Sequence, residues 1–277
     1  MRKHKNICVV GFGNWGKNHI KTLKDLNSLG GIVDQSEIAL DQARKKYPSC
    51  KFFKSVELAL KNDFDGYIIC TDPSTHYHLA KRIIMANKPV LVEKPLTLNV
   101  KDAVSLNNLA KNQNVNLMVG HLLLFHPAFT KIKEMIDTNL IGDIQYMYSN
   151  RLNLGTFRSD ENVFWSFAPH DIALFNYYFE ESPASVSSSG VAILQKDIHD
   201  TTITSFNYGN KKMGHIFVSW LHPFKEHRFV IIGSKGMIHF NDSTEKKPLL
   251  FYDKRAVFKD GIPFPSKGKV EEIKYKS

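Results

Sequence analysis

Cysteine is scarce in this chain of 277 residues, which contains Cys8, Cys50 and Cys70 and no others. An odd number of thiols, two of them inside apolar runs that read as buried strands, argues against a disulfide-stapled secreted scaffold and fits reduced thiols in a cytoplasm. Long hydrophobic runs are missing too. The most apolar stretch, Leu117 to Phe129, is broken by His121 and His126, and no charged n-region with an apolar h-region opens the chain, so neither a membrane span nor a secretory signal is expected. Acidic residues are the minority charge, 27 against 37 Lys plus Arg, for a formal net charge of +10. The lysines are spread along the whole chain, and in the tail from Lys267 to Lys276 they alternate with Glu271 and Glu272. Scattered charge describes a solvated surface and argues against a nucleic-acid partner, although it steers anionic small molecules. No internal repeat or low-complexity segment is visible. A composition of 43% hydrophobic and 23% charged residues is ordinary for a globular chain of two domains.

What is present begins with Ile7-Cys8-Val9-Val10-Gly11-Phe12-Gly13-Asn14-Trp15-Gly16, an apolar strand, a glycine turn and a helix start. Gly11 permits the tight turn, Gly13 lets the backbone approach a pyrophosphate, and Gly16 lets the helix lie close on the strand. Asp34 follows about 20 residues later, where a carboxylate accepts hydrogen bonds from the ribose hydroxyls of a dinucleotide. Its charge repels a 2′-phosphate, and Gln35-Ser36 supplies no adjacent arginine to receive one, so NAD is expected rather than NADP.

The same beat continues. Strands are predicted over 31–34, 51–53, 66–70, 89–92 and 116–120, alternating with helices over 36–47, 73–86 and 100–113. This alternation implies parallel crossovers and a doubly wound sheet. From about residue 142 the rhythm changes to strands over 144–154, 186–194, 201–208, 213–221, 228–232 and 237–240, with one helix over 169–179. Turn chemistry such as Tyr208-Gly209-Asn210 and Gly233-Ser234-Lys235-Gly236 joins them. The expected class is therefore α/β: a doubly wound dinucleotide-binding domain over 1–121, then an α+β domain over 122–277 with an open, mostly antiparallel sheet. That sheet is expected to cover the cofactor cleft, bind substrate and form a homo-oligomer.

Glu93-Lys94-Pro95 follows Val90-Leu91-Val92 directly, at the carboxyl end of a parallel strand, where open α/β sheets bind their ligands. A partly desolvated lysine there can exchange a proton with a substrate hydroxyl; the bland alternative is a surface lysine in a proline-limited turn. His76 with His78, or His121 with His126, are conceivable metal pairs. No Cys or carboxylate completes a ligand spacing, and hydride transfer to nicotinamide needs no metal, so none is expected.

Together the glycine loop, Asp34, Thr71-Asp72-Pro73-Ser74-Thr75-His76, Glu93-Lys94-Pro95 and Ser166-Phe167-Ala168-Pro169-His170-Asp171 resemble the Gfo/Idh/MocA oxidoreductases over nearly the whole chain. The resemblance implies a Rossmann domain that binds the cofactor through Gly11, Phe12, Gly13, Asn14, Trp15, Gly16, Asp34, Thr71, Pro73, Thr75, His76, Glu93 and Lys94. It implies that Lys94, and His170 at the start of the second-domain helix, transfer protons from opposite walls of one cleft. The family commonly carries an aspartate four residues before that histidine. Here Ser166 stands there, so only the lysine and histidine carry over, and Asp171 on a helix faces elsewhere.

Within the family, the segments around His121, Arg151, Trp165 and Trp220 look like the branch acting on nucleotide-linked amino sugars, similar to UDP-N-acetylglucosamine 3-dehydrogenases, which oxidise the sugar C3 hydroxyl. Arg151 suits phosphate, Asn153, His121 and His126 suit hydroxyls, and Trp165 suits stacking on a sugar or base. Each could equally be a satisfied core polar group. The alternatives are a non-catalytic, dinucleotide-binding regulator of the same fold and an NADP-dependent sugar ketoreductase. Relatives usually end in a further helical segment, whereas 259–277 is polar without an apolar helical period; a shortened variant is one expectation from this.

Overall fold

In the first half of the chain, short apolar runs alternate with helices, most of which start on a Ser, Asp or Asn whose side chain accepts a backbone N–H. The computed structural model describes residues 4–159, 161–209 and 211–276, and the chain divides into two compact units, Met1–Gly120 and His121–Ser277. The first unit runs β1 (Ile7–Val10), α1 (Asn14–Asp25), β2 (Leu29–Val33), α2 (Glu37–Lys46), β3 (Lys51–Phe53), α3 (Val56–Leu60), β4 (Gly66–Ile69), α4 (Pro73–Met85), β5 (Val90–Val92), α5 (Val100–Asn112) and β6 (Leu117–Val119). Ser36, Ser55, Asp72 and Asn99 cap α2 to α5 in turn.

All six strands are parallel, in the order β3-β2-β1-β4-β5-β6. The order reverses at β1, so the carboxyl ends of β1 and β4 bound the crevice where such sheets take a ligand. Successive β1 side chains serve two cores. Cys8 and Val10 pack with Ile69, Ile83, Val92 and Leu106, while Val9 packs with Ile20, Ile32 and Ala43. A parallel sheet needs this cover on both faces, and each fully buried aliphatic side chain contributes about 1.5–3 kcal/mol. β2 starts two residues earlier than expected and stops at Val33, so Asp34 stands just past the strand with its N–H on the Phe53 carbonyl. Helix α3 has no counterpart in the expected pattern, because five residues are too few to display a helical period.

The second unit opens on a 3-10 turn (Leu122–Phe125) and continues with α6 (Pro127–Asp137), β7 (Ile144–Leu152), α7 (Val163–Phe179), β8 (Ser185–Val191), β9 (Thr201–Gly209), β10 (Lys212–Ser219), β11 (Glu226–Gly233), β12 (Met237–Asn241), β13 (Leu249–Tyr252), β14 (Ala256–Lys259), β15 (Ile262–Pro265) and β16 (Val270–Glu272). Its eight-stranded sheet has the order β16-β13-β12-β11-β7-β10-β9-β8. Among the described residues, only β7 and β10 pair in parallel, and every other neighbouring pair of this sheet is antiparallel. The core gathers Phe129 and Ile132 of α6, Leu174 and Phe175 of α7, and Met147, Ile216, Phe229 and Phe240 of the sheet. No helix among the described residues is long and apolar enough to cross a membrane.

Three expectations for this half need correction. α6 and the strands β13 to β16 lie where no element was predicted. β14 and β15 form a separate exposed hairpin whose turn, Asp260-Gly261, has both residues at positive φ, 52° and 78°, the geometry of a two-residue hairpin turn. Helix α7 begins at Val163 and not at Pro169. Asn162 accepts from the Trp165 N–H and so caps it, leaving Pro169 inside the helix. Of the two predicted turns, Gly233 donates to the Gly236 carbonyl at 2.8 Å and closes β11 on β12. In the other, Gly209 has φ +74° and Asn210 lies outside the described residues.

Candidate active site

The glycine loop of the first unit is shaped by close approaches that a Cβ would prevent. Gly11 has φ +104°, and a Cβ there would sit 2.8 Å from the Cys70 carbonyl oxygen; at Gly16 it would run into the Gly11 carbonyl. Gly13 differs, because nothing lies within 4 Å of its Cβ position. It is also the N-cap of α1. That N-terminus receives no side-chain hydrogen bond and has no acidic residue in its first turn, whereas α2 to α7 are each capped by a side chain. The first-turn N–H groups of α1 therefore suit an external anion such as a pyrophosphate.

Asp34 stands at the same place. Its Oδ2 accepts from the Phe12 N–H at 2.8 Å and its Oδ1 from the Ser36 N–H at 2.9 Å, which ties the carboxylate to the glycine loop. Gly11, Gly13, Asp34, Gln35, Cys70, Thr71, Asp72 and Thr75 line a cleft of about 660 Å³, within the range of nucleotide and cofactor pockets. The Thr75 hydroxyl donates to the Asp72 carbonyl, so the Thr71 hydroxyl donates to it in turn at 2.7 Å. Pro73 occupies the first turn of α4. Asn14 and Trp15 are exposed at the start of α1, whereas the Phe12 ring is buried edge-on to Tyr47 and its N–H is taken by Asp34.

Two cations that sequence order did not associate with Asp34 also line this cleft. They are Lys54, just past β3, and Arg82 on α4. Lys54 Nζ lies 2.6 Å from Glu37 Oε2, and Arg82 pairs with Glu57. Only the sheet order brings them to Asp34, and no local spacing signals them.

Lys94 is half-buried immediately after β5, and the Lys94–Pro95 peptide is cis. The buried Glu93 beside it places Oε1 2.6 Å from Nε2 of His19, a residue on α1 that was not among the expected site residues. Its sequence signal was a histidine on the inward stripe of an amphipathic helix, three residues after Gly16 and next to Ile20. Glu93 also adds to the burial that pushes the Cys70 thiol up. His76, expected to touch the cofactor, is 1% exposed. Its Nδ1 is 2.8 Å from the Pro95 carbonyl and its Nε2 3.1 Å from the Thr71 carbonyl. Its single N–H in the neutral ring donates to one of these two carbonyls.

In the second unit, α7 carries His170 on its interior turns and not at its start, with Ser166 one turn earlier. The His121 ring meets the His170 ring edge-on, centroids 6.1 Å apart, so two of the selected histidines come together. Asp171 turns the other way and is fully buried. It accepts from Ser149 Oγ at 2.7 Å and from Arg151 Nε at 2.5 Å. Arg151, expected to hold phosphate, neutralises this buried carboxylate through its Nε. Burial, and then the Arg151 charge, push the nearby His227 down to about 4. His126 also takes part in the packing of this unit. Its Nδ1 accepts from the Ala128 N–H and caps α6, its ring packs against Phe129, Phe240 and Tyr275, and burial lowers its pKa. Asn153 is half-buried, with its N–H on the Ser219 carbonyl, and Trp165 is exposed on the first turn of α7.

Comparison with known proteins agrees with this geometry. The family described as "Oxidoreductase family, NAD-binding Rossmann fold" matches residues 5–121, and the Gfo/Idh/MocA C-terminal domain matches 129–239. A curated UDP-N-acetylglucosamine 3-dehydrogenase of Acidithiobacillus ferrooxidans is 30% identical over 191 residues, which span 68% of this chain and 59% of that protein, less than two thirds of its length. Myo-inositol 2-dehydrogenase of Thermotoga maritima is 26% identical over 264 residues, 90% of this chain and 79% of that one. Among solved structures, the UDP-N-acetylglucosamine 3-dehydrogenase GnnA from A. ferrooxidans has a TM-score of 0.85 at 24% identity, covering 99% of this chain and 84% of its own. The WlbA dehydrogenase from Bordetella pertussis, in complex with NADH and UDP-GlcNAcA, has a TM-score of 0.80 at 20% identity, covering 88% and 75%. At those identities the two structures establish a shared fold.

Proposed function

Because this chain belongs to the Gfo/Idh/MocA oxidoreductases, we propose that it is an NAD-dependent dehydrogenase acting on a ring carbon, C3, of a nucleotide-linked amino sugar such as UDP-N-acetylglucosamine. The observation that carries the reading is the uncapped N-terminus of α1, opening on the cleft in which Asp34 is fixed. NAD, when bound, supplies the hydride acceptor. Gly13 and the first-turn N–H groups of α1 hold its pyrophosphate, and Asp34 accepts from its ribose hydroxyls. Lys94 takes the proton of the reacting hydroxyl, and His170 hydrogen-bonds that hydroxyl and shares the transfer. His121, Asn153 and Trp165 contact the substrate. The sugar assignment is supported by the curated relative from A. ferrooxidans. A homo-oligomer through the second unit is supported by Val186, Val191, Ile203 and Met213, apolar side chains exposed on β8 to β10; light scattering tests it.

NADH absorbance across a panel of UDP- and dTDP-sugars tests the activity, with reduction by UDP-N-acetylglucosamine expected. Lys94→Met should retain NAD affinity while kcat falls about 10²–10⁴-fold; an undiminished rate removes Lys94 from its role. NAD binding with no reduction by any sugar moves the chain to the regulators. A second reading, NADP as cofactor, is favoured by Lys54 and Arg82 on the cleft. Their pairing with Glu37 and Glu57 and the charge of Asp34 support NAD. Calorimetry with both dinucleotides decides, and tighter NADP binding overturns the NAD assignment.

A further inference from the structure

Lys94 is bracketed by two histidines from different helices. On its amino side, Glu93 is held through Oε1 by His19 Nε2 at 2.6 Å, with side chains only 10% and 25% exposed. A ring nitrogen that close to a carboxylate donates to it, and burial strengthens the bond. The other carboxylate oxygen accepts the Lys94 N–H at 3.3 Å. Gly120 leaves this carboxyl its space, since a Cβ there would lie 3.1 Å from Glu93 Cδ. On the carboxyl side, His76 lies between two carbonyls, with Nδ1 2.8 Å from that of Pro95 and Nε2 3.1 Å from that of Thr71; a neutral ring donates to one of them, and the Pro95 contact is the shorter. Thr71 lines the dinucleotide cleft.

We propose that His19 and His76 are positioning residues for Lys94. One comes from the helix whose N-terminus faces the cleft and one from the helix that follows β4, and they fix the backbone on both sides of the lysine. The inference rests on the reading of Lys94 as the proton-transfer group. Neither histidine need touch cofactor or substrate.

The test compares wild type, His19→Gln, His19→Leu, His19→Asn and Lys94→Met with three readouts. The first, which needs no substrate, is acetylation of Lys94 by acetic anhydride relative to the exposed Lys235, quantified by mass spectrometry. The others are NADH fluorescence titration and UDP-N-acetylglucosamine oxidation resolved into kcat and KM. His19→Leu removes the donor, His19→Asn keeps polarity but not the reach, and His19→Gln keeps an N–H near the position of Nε2. In His19→Leu and His19→Asn, Lys94 acetylation should change about threefold or more and kcat fall about tenfold or more, with KM and NADH affinity within about twofold; His19→Gln should recover most of both losses. His76→Leu should reproduce the His19→Leu pattern. Wild-type acetylation and kcat in His19→Asn, with Lys94→Met inactive, overturn the positioning role and leave the Lys94 reading standing. Should Lys94→Met turn over normally, the Lys94 reading falls, and the acetylation ratio alone decides whether His19 sets the amine. If His19→Leu fails to fold, His19→Asn and His19→Gln carry the comparison.

Discussion

The two units present their candidate chemistry in different currencies of structure. In the first, the groups offered to a ligand are largely backbone: the N–H groups at the start of α1 and the loop opened by Gly11. In the second they are side chains at the two ends of the opening 3-10 turn, on or just past β7, and on α7, and those side chains have competing duties. Of six polar or aromatic residues selected there, Arg151 neutralises Asp171 and His126 caps a helix. A backbone site needs glycines at fixed offsets and little else, whereas a side-chain site depends on which face each residue takes and on which partner reaches it first.

The largest expected effect separates those two uses of a cation. If Arg151 is the counter-ion of the fully buried Asp171, Arg151→Met leaves that carboxylate uncompensated and should lower unfolding stability by about 3–5 kcal/mol in urea melts. Arg151→Met/Asp171→Leu should recover much of the loss. An unchanged midpoint in the single variant would release Arg151 to serve a phosphate after all.

Next in size is a response to acid within the second unit. Burial lowers the pKa of His126, His215, His227 and His239 below the usual 6.5, His227 to about 4. Protons then bind the unfolded chain near pH 6.5 but the folded chain only further down. The stability from neutral histidines is complete above pH 6.5, is lost as pH falls below it, and for His227 is gone by about pH 4. Hydrogen exchange, corrected for its intrinsic pH dependence, should show protection in β7 to β12 falling between about pH 7 and pH 5. Protection that stays level over that interval contradicts the assignment.

How much of this was legible follows the same division. The first unit could be read almost element by element, because strand, turn and cap signals are local: Ser36, Asp72 and Asn99 each begin a helix where their residue type predicts. The His19–Glu93 contact was not legible, since it joins residues 74 apart through the sheet. In the second unit, the Asp260-Gly261 dipeptide is a strong hairpin signal inside a segment that otherwise reads as polar tail. Pro169 misled for a physical reason. Proline favours the first turn of a helix, but Asn162 supplies a cap, and the burial of Val163 and Ala168 outweighs the hydrogen bond lost at Pro169.

The glycine loop offers a smaller contrast inside the first unit. Gly16→Ala forces a Cβ against the Gly11 carbonyl, and Gly13→Ala meets open space. Gly16→Ala should therefore destabilise by about 1–3 kcal/mol, while Gly13→Ala should melt within about 1 kcal/mol of wild type yet weaken NADH binding in a fluorescence titration. Equal melting losses for the two would mean that Gly13 is also a packing glycine and that nothing is reserved above it for a ligand.

The smallest effect tests where α7 begins. If Asn162 caps a helix starting at Val163, Asn162→Ala leaves the Trp165 N–H without its partner and should cost about 1 kcal/mol, with faster exchange in a peptide covering 163–168 and little change around His170. Were the helix to start at Pro169, residues 163–168 would exchange rapidly in wild type already and the substitution would change nothing. The placement of His170 follows from that outcome: a helix beginning at Val163 gives the imidazole a turn of helix on either side to fix its direction, whereas a helix beginning at Pro169 leaves it at a fraying end.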